Sequence, residues 1–308
     1  MSIYIIRVLL KAVLTLFAIV TATFVATRLS GNPMDTFLGE GLTAEGREQL
    51  IEYFQLDGSL WEQYVAYLRG ALSGEFGLSF VDRRPVTEVV ADRLWPSAQL
   101  LLSSILLTIS VSIPLGVLAA VYRKSWIGSA VMVVAFTGYA VPNFILAIIM
   151  ILIFSYWLNW LPVMGNGSFL HFLMPTLTMS GVLIAALTRF TRNAMLDVLG
   201  QEFIRTARAK GLSEPRVVLR HGLGNASITV ISVVGLQIAS LAAAGSVVVE
   251  SIFAWPGVGQ LLVNAAIVRD YPVLQFGVIA VAIAVVAINT LTDIAYALAD
   301  PRIRLSQS

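Results

Sequence analysis

Four polar side chains stand inside otherwise apolar stretches: Asn143, Gln237, Asn289 and Asp293. Asn289 and Asp293 are four residues apart, which puts them on one face of a helix. A carboxylate inside an apolar span is a candidate functional group, because such a charge is expensive in hydrocarbon and usually marks a pathway or a site. Together with Glu250, these two would serve a membrane-embedded enzyme. Asp293 equally suits a salt bridge or cap near the end of its span. Asn143 and Gln237 suit either contact with a translocated solute or a bridge between helices.

Other chemistries lack their residues. A phosphate-binding loop needs Gly-Lys followed by Ser or Thr, so that backbone amides and the lysine hold phosphates. The lysines here are Lys11, Lys124 and Lys210, preceded by Leu10, Arg123 and Ala209. The chain is therefore not expected to hydrolyse ATP. Neither Gly-x-Ser-x-Gly nor His-Glu-x-x-His occurs. His171 and His221 lie far apart, so no metal site is expected. There is no cysteine, which excludes thiol chemistry.

The elements that must position these groups are membrane spans. Of 308 residues, 57% are hydrophobic and 12% charged, against about 25% charged in soluble domains. A transmembrane helix needs about 20 apolar residues. Six such stretches are read at 8–29, 99–122, 131–157, 172–191, 227–249 and 273–298, the first as a retained span rather than a cleaved signal peptide. Pro114 and Pro142 fall inside the second and third, and Pro175 in the first turn of the fourth. The predicted fold is all-α, a polytopic transmembrane helical bundle with a small helical extracytoplasmic insert. Its divisions are a first span (1–30), the insert (31–98), a five-span core (99–298) and a tail (299–308).

The insert carries 11 acidic and five basic residues. Thr43 can cap a short helix through Phe54, Leu56-Asp57-Gly58 reads as a turn, and Leu60, Trp61, Tyr64, Val65, Leu68 and Leu72 form a helical stripe. After Asp82-Arg83-Arg84-Pro85 a further short helix is expected to end before Pro96. The insert is either a cap on the bundle or a docking surface for a soluble partner. Basic residues collect on the opposite side: Arg7, Lys11, Arg123, Lys124, Arg189, Arg192, Arg302 and Arg304. This asymmetry places both termini in the cytoplasm and the insert outside.

The longest polar interruption of the second half, Gln201 to Asn225, lies on the basic side. Leu196, Leu199, Phe203 and Ala207 recur at helical spacing, with Arg205, Arg208 and Lys210 off that stripe. Gly211 stands at a helix C-cap. Ser213 can cap a second short helix with Pro215 in its first turn, ending at Arg220-His221-Gly222. The segment reads as a basic helix–glycine–helix elbow, or as a basic loop that merely follows the charge rule. Outside, Pro256-Gly257 marks a turn, with Gly257 a candidate for positive φ. Gln260 to Val268 reads as a half-inserted hairpin. Trp255 and Tyr271 either anchor it at the interface or line the outer mouth.

Arg205-Thr206-Ala207-x-x-x-Gly211 resembles the coupling signature of ABC-importer membrane subunits, whose general form is Glu-Ala-Ala-x-x-x-Gly. The run Arg-Thr-Ala-Arg-Ala-Lys-Gly-Leu-Ser is similar to that of the dipeptide/oligopeptide permease family, which includes glutathione and nickel importers. Glu250-x-x-Phe253-x-Trp255-Pro256-Gly257-x-Gly259, Arg269-Asp270-Tyr271-Pro272 and Asp293-x-x-Tyr296-x-x-x-Asp300-Pro301-Arg302 resemble the same family. The family's proline after the elbow is absent, Gly224 and Thr229 standing where it falls.

The resemblance implies a permease subunit in a bacterial inner membrane that moves small peptides inward. It implies as partners a second, related permease, two cytoplasmic ATPases holding ATP and Mg, an extracytoplasmic binding protein and the lipid bilayer, with no nucleic acid. ATPase coupling would fall to 201–224, with Phe203, Arg205, Thr206, Ala207, Arg208, Lys210, Gly211, Leu212 and Ser213. An outer gate or docking loop would use Glu250, Phe253, Trp255, Pro256, Gly257 and Gly259. A translocation path would take Asn143, Gln237, Asn289 and Asp293. No cofactor is expected in this chain. The embedded enzyme near Asn289 and Asp293 is the alternative. A passive channel would need polar rings or a filter, which the spans do not show.

Overall fold

A computed structural model describes residues 2–29, 58–241 and 246–299. The expected Thr43 helix, most of the Leu56-Asp57-Gly58 turn and the Asp300-Pro301-Arg302 tail lie outside the described residues. So does the side chain of Asp293. The described chain is helical apart from one isolated bridge, Leu78 to Pro85. Four helices are long and apolar enough to cross a membrane: Leu9–Leu29 within α1 (Ser2–Leu29), α3 (Val86–Val121), α6 (Phe169–Leu199) and Tyr271–Thr292 within α12 (Tyr271–Ala299). Helix α2 (Leu60–Ser73) precedes α3.

Two further apolar stretches are bent. The third expected span breaks at Val141-Pro142 into α4 (Trp126–Ala140) and a second helix, α5 (Asn143–Met150), which runs on as π-helical turns Ile151–Trp157; the two arms meet at 102°. Proline disfavours helical backbone in the residue before it, and Val141 is extended at φ −86°, ψ 118°. The helix leading into the fifth stretch bends by 49° between Glu214–Ser227 and Thr229–Gly235. Pro96 behaves oppositely to expectation. The helix does not stop before it but continues from Val86 to Val121, carrying Pro96 and Pro114 in its interior. A proline costs a helix one N–H bond and a steric clash, and neither ends this one.

The chain forms two compact units: Ala98–Trp255 with the residues from Val285 onward, and Ser2–Ser97 with Pro256–Ala284. In the first, Leu100, Ala147, Met174, Met179, Leu241, Val249, Phe253 and Trp255 form one buried cluster. Ala120, Leu187, Ala194, Met195, Val218, Ala226 and Val230 form another. Small and hydroxyl residues let α3 and α6 approach closely. A Cβ on Gly116 would lie 2.5 Å from Thr191 Cβ and 2.9 Å from the Thr188 carbonyl oxygen.

In the second unit, Val86, Val89, Val90, Ala265 and Val273 are buried together, flanked by Phe76 packed at a tilt against Phe276, centroids 4.3 Å apart. The Asp270 carboxylate, 3% exposed, accepts hydrogen bonds from Ser79 Oγ (2.6 Å), Phe80 N (3.2 Å) and Val81 N (3.4 Å). Ser79 Oγ in turn accepts from Asp82 N at 2.9 Å. The loop after Gly77 is thus closed on the Arg269-Asp270-Tyr271-Pro272 turn.

Candidate functional site: a helical elbow with its own core

Helix α6 ends at Leu199, and the chain turns at Gly200-Gln201, Gln201 being extended at ψ 153°. A new helix, α7 (Glu202–Ala209), follows. The sequence stripe had treated these as one helix. Because the turn resets the phase, Ile204 replaces Phe203 on the inner face: Ile204 is 0% exposed and Ala207 7%, whereas Phe203 is 45% exposed. Ile204, Ala207 and Val217 pack together with Val198, Leu199 and Leu212 against them. Ile204 and Val217 are the residues that sequence reasoning missed. The i,i+3 spacing of Ile204 and Ala207 carried the signal.

Gly211 has φ +76°. Its N–H donates to Arg208 O (2.9 Å), and the Leu212 N–H donates to Ala207 O (3.4 Å). This pair of bonds is the Schellman motif, and the accompanying apolar contact of Leu212 with the Ala207 cluster completes it. A Cβ at Gly211 would meet nothing within 4 Å, so the glycine is required by its backbone angle and not by space.

Ser213 takes the N-cap position with no side-chain cap bond, and Pro215 lies in the first turn of the short helix α8 (Glu214–Arg216). This helix does not end at Gly222. It passes through π-helical turns Val217–Leu223 into α9 (Gly224–Ser240). Arg208 grips Glu214 across the turn, Nε to Oε1 at 2.6 Å and NH2 to Oε2 at 3.3 Å. Arg205 pairs with Glu202 at 3.0 Å. Phe203, Arg205, Thr206, Arg208, Lys210 and Ser213 are all exposed, giving the elbow a basic outer face with one aromatic ring.

The residues assigned to the outer loop divide between the two units. In the first unit, Glu250 lies on the short helix α10 (Ser246–Ile252), and Glu250, Phe253 and Trp255 are 0%, 1% and 4% exposed. The Trp255 ring packs at a tilt against Phe172, centroids 5.3 Å apart, Trp255 N donates to Glu250 O at 2.8 Å, and Gly165 N donates to Phe253 O at 3.0 Å. Trp255 is a core side chain here, not an exposed anchor, and Tyr271 is likewise buried. In the second unit, Gly257 precedes α11 (Val258–Ile267), which replaces the expected hairpin. Gly257 has φ −100°, open to any residue, so the expected positive φ is absent. It falls on Ala254, at +48°. Val258 N donates to Ser97 Oγ at 2.8 Å.

Asn143, Gln237 and Asn289 are not joined by hydrogen bonds among the described residues. Asn143 opens the helix after the bend, its Oδ1 buried and unbonded. Gln237 Oε1 is also buried and unbonded, and with Thr108, Leu183 and Val234 it borders a void of about 10 Å³. Asn289 is exposed.

The family model for "binding-protein-dependent transport system inner membrane component" matches residues 112–305, a range that contains the whole elbow. The chain belongs to this family. The glutathione transport system permease protein GsiC of Escherichia coli (strain K12) is 39% identical over 302 residues, 98% of each chain. The protein of the same name from Shigella dysenteriae serotype 1 gives the same values. Among solved structures, a chain of the MetNI methionine ABC transporter in inward-facing conformations superposes with a TM-score of 0.61 at 18% identity. It covers 70% of this chain and 97% of that one. A second crystal form of the same transporter gives 0.57 at 17% identity, covering 69% and 96%. At that identity the likeness shows the fold. The resemblance to the dipeptide/oligopeptide permeases is borne out, and the chain is a multi-pass permease subunit of a binding-protein-dependent ABC importer.

Proposed function

We infer that this permease forms half of a pore that imports small peptides of the glutathione type, and that elbow 201–224 transmits the motion of cytoplasmic ATPases to it. The observation that carries this reading is the elbow's construction. A basic loop needs no interior, whereas this segment has a buried cluster of its own, a Schellman turn and an exposed Phe203. Transmission requires a rigid contacting element with a buried side and a presented side. The second half-pore is a related permease, and two ATPases carry ATP and Mg. An extracytoplasmic protein delivers the peptide. The identity of the relatives supports glutathione as the first substrate to try. The alternative of an embedded enzyme is not favoured by any observed pairing among Asn289, Gln237 and Asn143.

The test is uptake of labelled glutathione and of a dipeptide in cells lacking their own importers, with this chain supplied alone and with its partner subunits. Uptake and ATP hydrolysis are expected only for the full set. Uptake by this chain alone sinks the reading.

The charge asymmetry supports an elbow in the cytoplasm and α2 outside. The chain has no cysteine of its own, and Ser73 and Ser213 are both exposed. In intact cells a membrane-impermeant maleimide is therefore expected to label Ser73→Cys, and to reach Ser213→Cys only after permeabilisation. The reverse pattern inverts the topology.

A further inference from the structure

The second unit holds a cavity of about 570 Å³ with no part in the reading above. Its wall comes from the end of α1 (Phe24, Arg28), from α2 (Tyr67, Arg69) and from the start of α12 (Tyr271, Gln275). Aromatic rings shape it: Phe24 lies 5.2 Å from Tyr64 and 5.5 Å from Tyr67, and the Arg28 guanidinium sits 5.3 Å over the Phe24 ring.

Two arginines and two acids, Arg28, Arg69, Glu62 and Glu75, line the cavity among the described residues. Neither Arg28 nor Arg69 belongs to an ion pair among the described residues, and Arg28 Nε is buried with no acceptor. The hydroxyls of Tyr67 and Tyr271 are also buried and unbonded. Burial pushes the Tyr67 hydroxyl above its ordinary range, so it keeps its proton. Glu62 is committed to the capping box of α2, binding Ser59 N at 2.7 Å. Glu75, which also lines the cavity, is exposed and forms no ion pair among the described residues. Two arginines outside any ion pair among the described residues, and an exposed acid lining the same cavity, match a group that carries both a phosphate and an ammonium.

Position selects the source. Arg28 is in the last turn of the apolar span Leu9–Leu29, so the hydrophobic thickness sets it at the headgroup level. Trp61, which lines the cavity, is 70% exposed, and Leu60 and Leu72 of the same helix are 65% and 91% exposed. An amphipathic helix with an exposed Trp beside a basic site suits the membrane interface. A soluble peptide would leave that apolar surface in water.

We propose that this cavity binds the headgroup of an aminophospholipid, its phosphodiester against Arg28 and Arg69 and its ammonium toward Glu75.

The test uses the full chain in nanodiscs containing a photoactivatable phosphatidylethanolamine, with crosslinks mapped by mass spectrometry. Wild type should crosslink within 24–28 and 61–69. Arg28→Gln/Arg69→Gln should lower that yield at least tenfold at an unchanged melting temperature. Arg28→Lys should keep most of it. Tyr67→Phe, which removes one donor without changing the packing, should lower it about threefold. Equal crosslinking in wild type and the double variant overturns the proposal. So does loss of the crosslink on adding millimolar glutathione or inorganic phosphate, since either would assign the cavity to a soluble anion. Loss in both Arg28→Lys and Arg28→Gln would show that only the arginine's packing matters, and overturns it as well.

Discussion

Ala207→Glu is expected to abolish uptake at unchanged membrane insertion. Ala207 packs against Ile204 and Val217 within the elbow itself, so the carboxylate would be forced into an apolar cluster with no described cation facing it. An unpaired buried charge costs roughly 3 kcal/mol or more. That is enough to open a segment held by three central side chains and one turn motif. The loss therefore arises from an elbow that no longer holds its shape, and not first from a lost ATPase contact. Phe203→Asp separates the two effects. Phe203 is 45% exposed, so its replacement should leave the melting temperature within a degree or two. Under the proposed reading it should still shed the ATPases, because aromatic side chains are enriched at interface cores and a carboxylate there is depleted. Arg205→Ala should do little, since exposed ion pairs contribute about 0–1 kcal/mol. Uptake, ATPase pull-down and melting, measured on equal amounts of inserted protein, check all three. Wild-type uptake by Ala207→Glu would reduce the elbow to a basic loop.

Asp270→Ala is expected to have the next largest effect, on stability. The substitution removes the buried acceptor shared by Ser79 Oγ, Phe80 N and Val81 N, while Ser79 Oγ keeps the bond it accepts from Asp82 N. Leaving a buried donor unsatisfied costs about 1–3 kcal/mol, and water entering the loop will recover part of the sum. A loss of several kcal/mol should appear as a fall of ten degrees or so in the melting temperature of the detergent-solubilised chain. Protease cleavage in 79–84 should appear with it. Ser79→Ala, which removes one donor to the carboxylate and the acceptor of Asp82 N but keeps the carboxylate for Phe80 N and Val81 N, should cost less. If Asp270→Ala melts with wild type, the loop is held by other contacts.

The sequence made some of this legible and hid the rest for identifiable reasons. Gly211 was readable because a positive-φ C-cap has a residue preference of its own, and the basic residues before it agree with the helix dipole. Phe203 was placed on the wrong face because a stripe assumes one continuous helix, and the turn at Gly200-Gln201 resets the phase. Pro96, Pro114 and Pro175 sit inside helices while Pro142 breaks one. The residue type gives the same warning each time, and tertiary packing decides the outcome. Trp255 read as a mouth or anchor residue because Trp-Pro-Gly looks like an exposed turn, yet its ring is needed to fill a core beside Phe172. Asp270 carried no sign that its partners lay some 190 residues earlier, a pairing that only the fold supplies.

The π-helical turns at Val217–Leu223 bear on which changes of length the chain can absorb. A π turn accommodates one residue more than an α turn, and it usually occurs as a single local widening. Removing one residue there would restore α pitch while leaving Val217 facing the elbow cluster and Ala226 and Val230 facing the membrane cluster. The same deletion inside Gly224–Ser240 would turn every later side chain of that helix by about 100°. Single-residue gaps among homologous chains should therefore gather at 217–223 and be missing from the turns that follow.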